Sequence, residues 1–166
     1  QGFMGIDVAK VSSIKSPSSV EKEKVAELLG RRPEVDFEIV VVDSRGEPVV
    51  IRNGPIMEGG RPMPTRYWLV GKELSRRVAR LEGDGGVRAA EKAVDANELA
   101  AVHERYAIER DSLISSEYVG PRPTGGVGGT RQGVKCLHTH LAHYLAAGYD
   151  PVGEWVMEQL EANDLA

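Results

Sequence analysis

The chain has 166 residues, 41% hydrophobic and 28% charged, a balance that excludes a disordered polyelectrolyte and predicts one globular domain with its own core. The formal net charge of −4 argues against broad nucleic-acid affinity, and no run approaches the roughly 18 apolar residues of a membrane span. A single cysteine, Cys136, excludes an internal disulfide and fits a reducing, cytoplasmic setting.

Gln1-Gly2-Phe3 ahead of Met4 reads as an expression remnant, and residues 1–19 as a flexible leader without the apolar core of a signal peptide. Residues 20–166 are expected to form the single domain. Ser18 and Glu21 stand in capping-box spacing before VEKEKVAELL, and Gly30 supplies the stop of that helix. In VDFEIVVV, Val35, Phe37, Ile39 and Val41 alternate with polar Asp36 and Glu38 before the run turns apolar, which predicts a strand. The turn DSRGEP then leads into VVIR (Val49–Arg52) as a hairpin, and TRYWLV (Thr65–Val70) predicts a third strand.

KELSRRVARLE sets Leu74, Val78 and Leu81 on one helical face and Lys72, Arg76 and Arg80 on the other. That basic row is either a solvated face or an extension of an anion site. VRAAEKAV is a short helix, and Asp95 caps a separate one carrying the stripe Leu99, Val102, Tyr106 and Leu113. His103 beside that stripe reads as a satisfied boundary histidine, and Trp68 and Trp155 read as core. Residues 134–147 are predicted helical with a stop at Gly148, and Asp150-Pro151 opens the last helix. The sum is an α+β fold, a small antiparallel sheet of about three strands covered by about five helices.

Three of the four histidines and the cysteine crowd into VKCLHTHLAHYLA, behind the glycines at 125, 126, 128, 129 and 133. No acid occurs between Tyr118 and Tyr149, where Arg122, Arg131 and Lys135 stand, whereas the stretch from Asp150 onward holds acids and no Lys or Arg. This favours a small anionic ligand over a polyanion. Backbone amides of the loop, with Gly128, Gly129, Arg131, Gly133, Lys135 and His138, are the candidate ligand-binding set. The loop is not a Walker A sequence, because Val134 precedes Lys135 and Cys136 replaces the Ser or Thr. The alternative is a loop whose glycines only permit turns.

On a helix running from 134, Cys136, His140 and His143 form an i, i+4, i+7 stripe beside the core face of Leu137, Leu141, Tyr144 and Leu145, with His138 at its far edge. These three are the candidate metal ligands for a divalent ion such as zinc, and the candidate catalytic groups. Cys136 and His143 are separated by about 10 Å of helical rise, so no single ion takes all three and a further ligand must come from elsewhere. Cys136 could alternatively be a nucleophile with His140 as base, although Ala142 stands where a cysteine phosphatase places its arginine. The plainer alternative is that these side chains cap the helix, pair with acids or line an interface.

Two stretches, PMPTRYWLVGKELSRRVARLEGDGGV and GGTRQGVKCLHTHLAHYLAAGYDPVG, resemble the bacterial domain-of-unknown-function family 501, which is widespread in actinobacteria. The resemblance covers roughly residues 25 to 160. It implies no known activity; genes of the family often lie near an exopolyphosphatase gene, which is compatible with phosphate-related work. It also implies a cysteine pair near the first hairpin and another cysteine after YWL, where this chain reads VVVDSRGEP and YWLVG. A multi-cysteine zinc site is therefore impossible here. The leading expectation is a cytoplasmic small-anion site, for phosphate or a phosphorylated metabolite, with metal-assisted hydrolysis as the reaction class. The alternative is a non-catalytic interaction or homodimerisation module.

Overall fold

The computed structural model describes residues 6–165, so the Gln1-Gly2-Phe3 remnant lies outside the described residues. Among these residues four strands form one antiparallel sheet in chain order: β1 (Val8–Lys10), β2 (Phe37–Asp43), β3 (Pro48–Asn53) and β4 (Tyr67–Leu69). The β2–β3 hairpin turns where DSRGEP predicts it. Asp43 Oδ1 accepts from the Arg45 and Glu47 amides, and Gly46 takes the positive φ of 79° that a side chain would resist. The strand count is corrected from about three to four. Val8–Lys10, read as part of a leader, pairs with Val41–Asp43 and buries Val8. Three residues are too few for alternation to show, and the partner strand supplies the stabilisation.

Six helices among the described residues, against about five expected, cover the sheet: α1 (Ser19–Leu29), α2 (Lys72–Gly83), α3 (Gly86–Ala93), α4 (Ala96–Asp111), α5 (Leu137–Ala147) and α6 (Pro151–Leu165). The capping box of α1 is formed, with Ser18 Oγ accepting from the Glu21 amide at 3.2 Å and Glu21 Oε1 from the Ser18 amide at 2.8 Å. Asp95 Oδ2 accepts from the Glu98 amide and separates α3 from α4 as its sequence position predicts. None of the helices among the described residues is long and apolar enough to cross a membrane.

One sheet face, with Phe37, Ile39 and Ile51, packs against Val25 of α1. The other face, with Val50, Tyr67 and Leu69, meets α5, and α2, α4 and α6 complete that larger core. Leu137, Leu141 and Leu145 each contribute about 2 kcal/mol by burial, more than the roughly 1 kcal/mol a missing cap side chain costs α5. Tyr106 Oη accepts from the Arg66 and Tyr67 amides at 2.6 and 3.1 Å and so ties α4 to β4. Trp68 and Trp155 pack half-buried against the two cores. Leu113 departs from its expected stripe: α4 ends at Asp111, and Leu113 is exposed.

Candidate functional site

The segment before α5 is held by two carboxylates from earlier helices. The Val134 amide donates to Glu91 Oε2 of α3 and the Leu137 amide to Glu82 Oε2 of α2, both within 2.8 Å. These contacts keep Cys136 extended (φ −150°, ψ 156°), so α5 begins at Leu137 and not at 134. Across the loop, His103 Nδ1 accepts from the Val127 amide and Nε2 donates to Gly133 O at 2.8 Å. Both ring nitrogens are thus used on loop backbone, and burial lowers the His103 pKa from its ordinary 6.5. His103 is a clamp, the satisfied residue its position suggested.

The glycines serve that clamp. A Cβ at Gly126 would fall 2.5 Å from His103 Cβ, and Gly125 holds a φ of 73°. Arg110, 1% exposed, donates to Gly125 O and Pro64 O from below. The amides of Gly126, Val127, Gly129 and Val134 all donate to protein acceptors. Of the residues expected to hold an anion, Gly129 therefore already spends its amide inside the loop. Arg131 lines a groove of about 350 Å³ beside α4, which Lys135 does not line.

The four-residue cluster splits in two. His140 and His143 share one carboxylate on the next helix: Asp150 Oδ2 accepts from the two Nδ1 atoms at 2.8 and 2.9 Å. Asp150 Oδ1 accepts from the Val152 and Gly153 amides, capping α6. His140, His143 and Asp150 are 0%, 2% and 1% exposed. Burial alone would push the Asp150 carboxyl up, but the donors from His140 and His143 outweigh it and hold the group below the ordinary 3.8. This trio staples α5 to α6. Sequence spacing put His140 and His143 in a stripe with Cys136; the extended cap residue turns Cys136 away from them.

Cys136 instead meets His138 and Glu82. Among the described residues this is the one group whose cysteine, histidine and carboxylate donor atoms all lie within 4.8 Å of one another, and all three are half-buried. His138 Nδ1 lies 3.2 Å from Glu82 Oε2, and its Nε2 lies 3.1 Å from Ser75 O. Cys136 Sγ lies 3.3 Å from Thr139 Oγ1. Two ligands on a tetrahedral zinc, each about 2.0–2.1 Å away, stand roughly 3.3 Å apart, which the His138–Glu82 spacing matches. Donation from Nε2 to the Ser75 carbonyl would present the Nδ1 lone pair inward, the usual outer support of a metal-bound imidazole.

A protein-family model described as "Protein of unknown function (DUF501)" matches residues 39–158. The chain belongs to that family. The matched span of this DUF501 member runs from β2 into α6 and includes Glu82, Cys136, His138 and the Asp150 trio, leaving β1 and α1 outside. Neither the curated proteins nor the solved structures contain a match. The two regions where the resemblance implied extra cysteines come together in space: Asp43, Ser44, Arg45 and Gly71 line one groove of about 450 Å³. Glu82, Cys136 and His138 do not line it.

Sequence reasoning missed Glu82. Its only signal was an acid closing a helix otherwise rich in Arg, and α2–α5 packing, not spacing, brings it to Cys136. Sequence spacing gives His138 a ligand-binding role and not a metal one, because a helix extended back to 134 points it away from the stripe.

Proposed function

We propose that this domain binds a zinc-type divalent cation through Glu82, Cys136 Sγ and His138 Nδ1, leaving one position open to solvent or to an anionic ligand. The single observation that carries this reading is the convergence of a thiol, an imidazole and a carboxylate at the α2–α5 junction. A thiolate beside a carboxylate is two like charges, which a divalent cation neutralises. Ser75 O orients the imidazole, and the Thr139 hydroxyl is placed to donate to the sulfur. When bound, such a cation supplies Lewis acidity toward a phosphoryl or carbonyl oxygen, which supports metal-assisted hydrolysis of a phosphorylated small molecule as the reaction to screen.

A second reading has its own observation. A doubly protonated His138 would donate to Glu82 and to Ser75 O together, and the cluster would be a structural ion pair without metal. Cobalt(II) titration separates the two. Binding with a thiolate-to-cobalt absorption band, lost in Cys136→Ser and weakened at least tenfold to a hundredfold in His138→Gln, supports the metal site. No band in the unsubstituted protein leaves the ion pair.

A further inference from the structure

Two rows of unlike charge remain unused by the metal reading, and they stand on neighbouring helices. Lys72, Arg76 and Arg80 are exposed along α2 at i, i+4 and i+8. Of the three, only Arg76 is in an ion pair among the described residues, with the exposed Glu73 at 2.7 Å. Along α6, Glu154 and Glu158 are exposed and Glu161 half-buried at i, i+4 and i+7. None of these carboxylates is in an ion pair among the described residues, although other surface acids on α1, β2 and α2 are. Their field reaches inward: burial first, and then Glu154, Glu158 and Glu161, push the Tyr144 phenol up. The two helices touch, since Arg77 donates to Leu160 O at 3.0 Å and to Asp164 at 2.7 Å.

Like charges at i, i+4 destabilise a helix that stays alone in water. Each row here repels itself, and intramolecular pairing could have relieved it, but among the described residues the ion pair between these helices is Arg77–Asp164. The opposite signs are matched in number and nearly matched in spacing, so each row is the complement of the other. Beside the acidic row, Trp155 and Pro151 line a groove of about 290 Å³ with Glu154 and Glu158, apolar surface on which the methylene arms of Lys and Arg can lie.

We infer that a second copy of this chain covers these rows, the α2 row Lys72/Arg76/Arg80 of one copy against the α6 row Glu154/Glu158/Glu161 of the other. Complementary charge of this kind sets register and speeds encounter, and it is screened by salt because the pairs sit at the surface. The inference is independent of the metal site, whose ligands lie on the α5-facing side of α2.

Sedimentation velocity on the full chain tests it, with far-UV circular dichroism to confirm that every variant is folded. At about 0.02 M ionic strength the protein is expected to self-associate, and at about 0.5 M the dissociation constant is expected to rise at least about tenfold. Lys72→Glu/Arg76→Glu and Glu154→Lys/Glu158→Lys should each be monomeric alone. Mixed together they should associate again, because the reversed rows complement one another. A monomer at low salt and about 100 µM chain overturns the inference. So does association that survives either reversal, or a mixture of the two variants that stays monomeric.

Discussion

His138 and His140 stand two positions apart in α5, and their surroundings have opposite chemistry. His140, with His143, is fully buried against Asp150, whose carboxylate also caps α6. His138 is half-buried, faces a second helix, and shares its neighbourhood with a thiol and a carboxylate. Residue type is the same; burial and the identity of the third partner decide the role. A histidine pair locked to one buried carboxylate holds helices together. An imidazole at the surface between Cys136 and Glu82 has donors to offer an ion.

The inner trio should therefore govern stability and leave the proposed metal site untouched. Asp150→Ala strands two buried imidazoles and uncaps α6, and should cost about 3–5 kcal/mol in urea unfolding. A loss under about 1 kcal/mol would mean that the staple is not what joins α5 to α6. Gly153→Ala comes next. Helix propensity favours alanine by about 1 kcal/mol, but the added Cβ would fall 2.4 Å from His140 O. A net destabilisation of about 1–3 kcal/mol is expected, and a gain would show that the helices are free to move apart. Far from both clusters, Ser18→Ala should lose about 1 kcal/mol through the α1 cap alone.

Acid stability sharpens the same contrast. His103 has a folded pKa below 6.5, so its neutral form stabilises the fold fully above pH 6.5 and that contribution is lost as the pH falls through the folded value. Asp150 has a folded pKa below 3.8, so its contribution is complete above that pH and is lost only as the pH falls through its own lower value. Stability should decline in two stages on acidification. His103→Gln should remove the upper stage and Asp150→Asn the lower, as followed by urea midpoints across pH; an unchanged upper stage in His103→Gln would refute the clamp.

Much of the fold was legible. The β2–β3 hairpin, the capping box at Ser18, the Asp95 cap and the Gly148 stop are local signals, and each sits where its residues predict it. What was not legible is non-local. β1 is an edge strand defined by its partner, and the start of α5 is set by Glu82 and Glu91 reaching from two earlier helices. Those same two carboxylates undo the Cys136/His140/His143 stripe, because a helix shortened by three residues moves Cys136 off the helical face. The glycine loop is ambiguous for a related reason: glycines permit close approach to a ligand and close approach to a neighbouring helix equally well, and at Gly126 the neighbour is His103.

The most direct measurement is the metal content, by elemental mass spectrometry, of untagged protein purified without chelator, in parallel with Cys136→Ser, His138→Gln and His143→Gln. The expected result is about one zinc or similar ion per chain in the unsubstituted protein and in folded His143→Gln, and none in Cys136→Ser or His138→Gln. Metal that is absent throughout, or that is lost with His143 and kept without His138, would contradict the outer site.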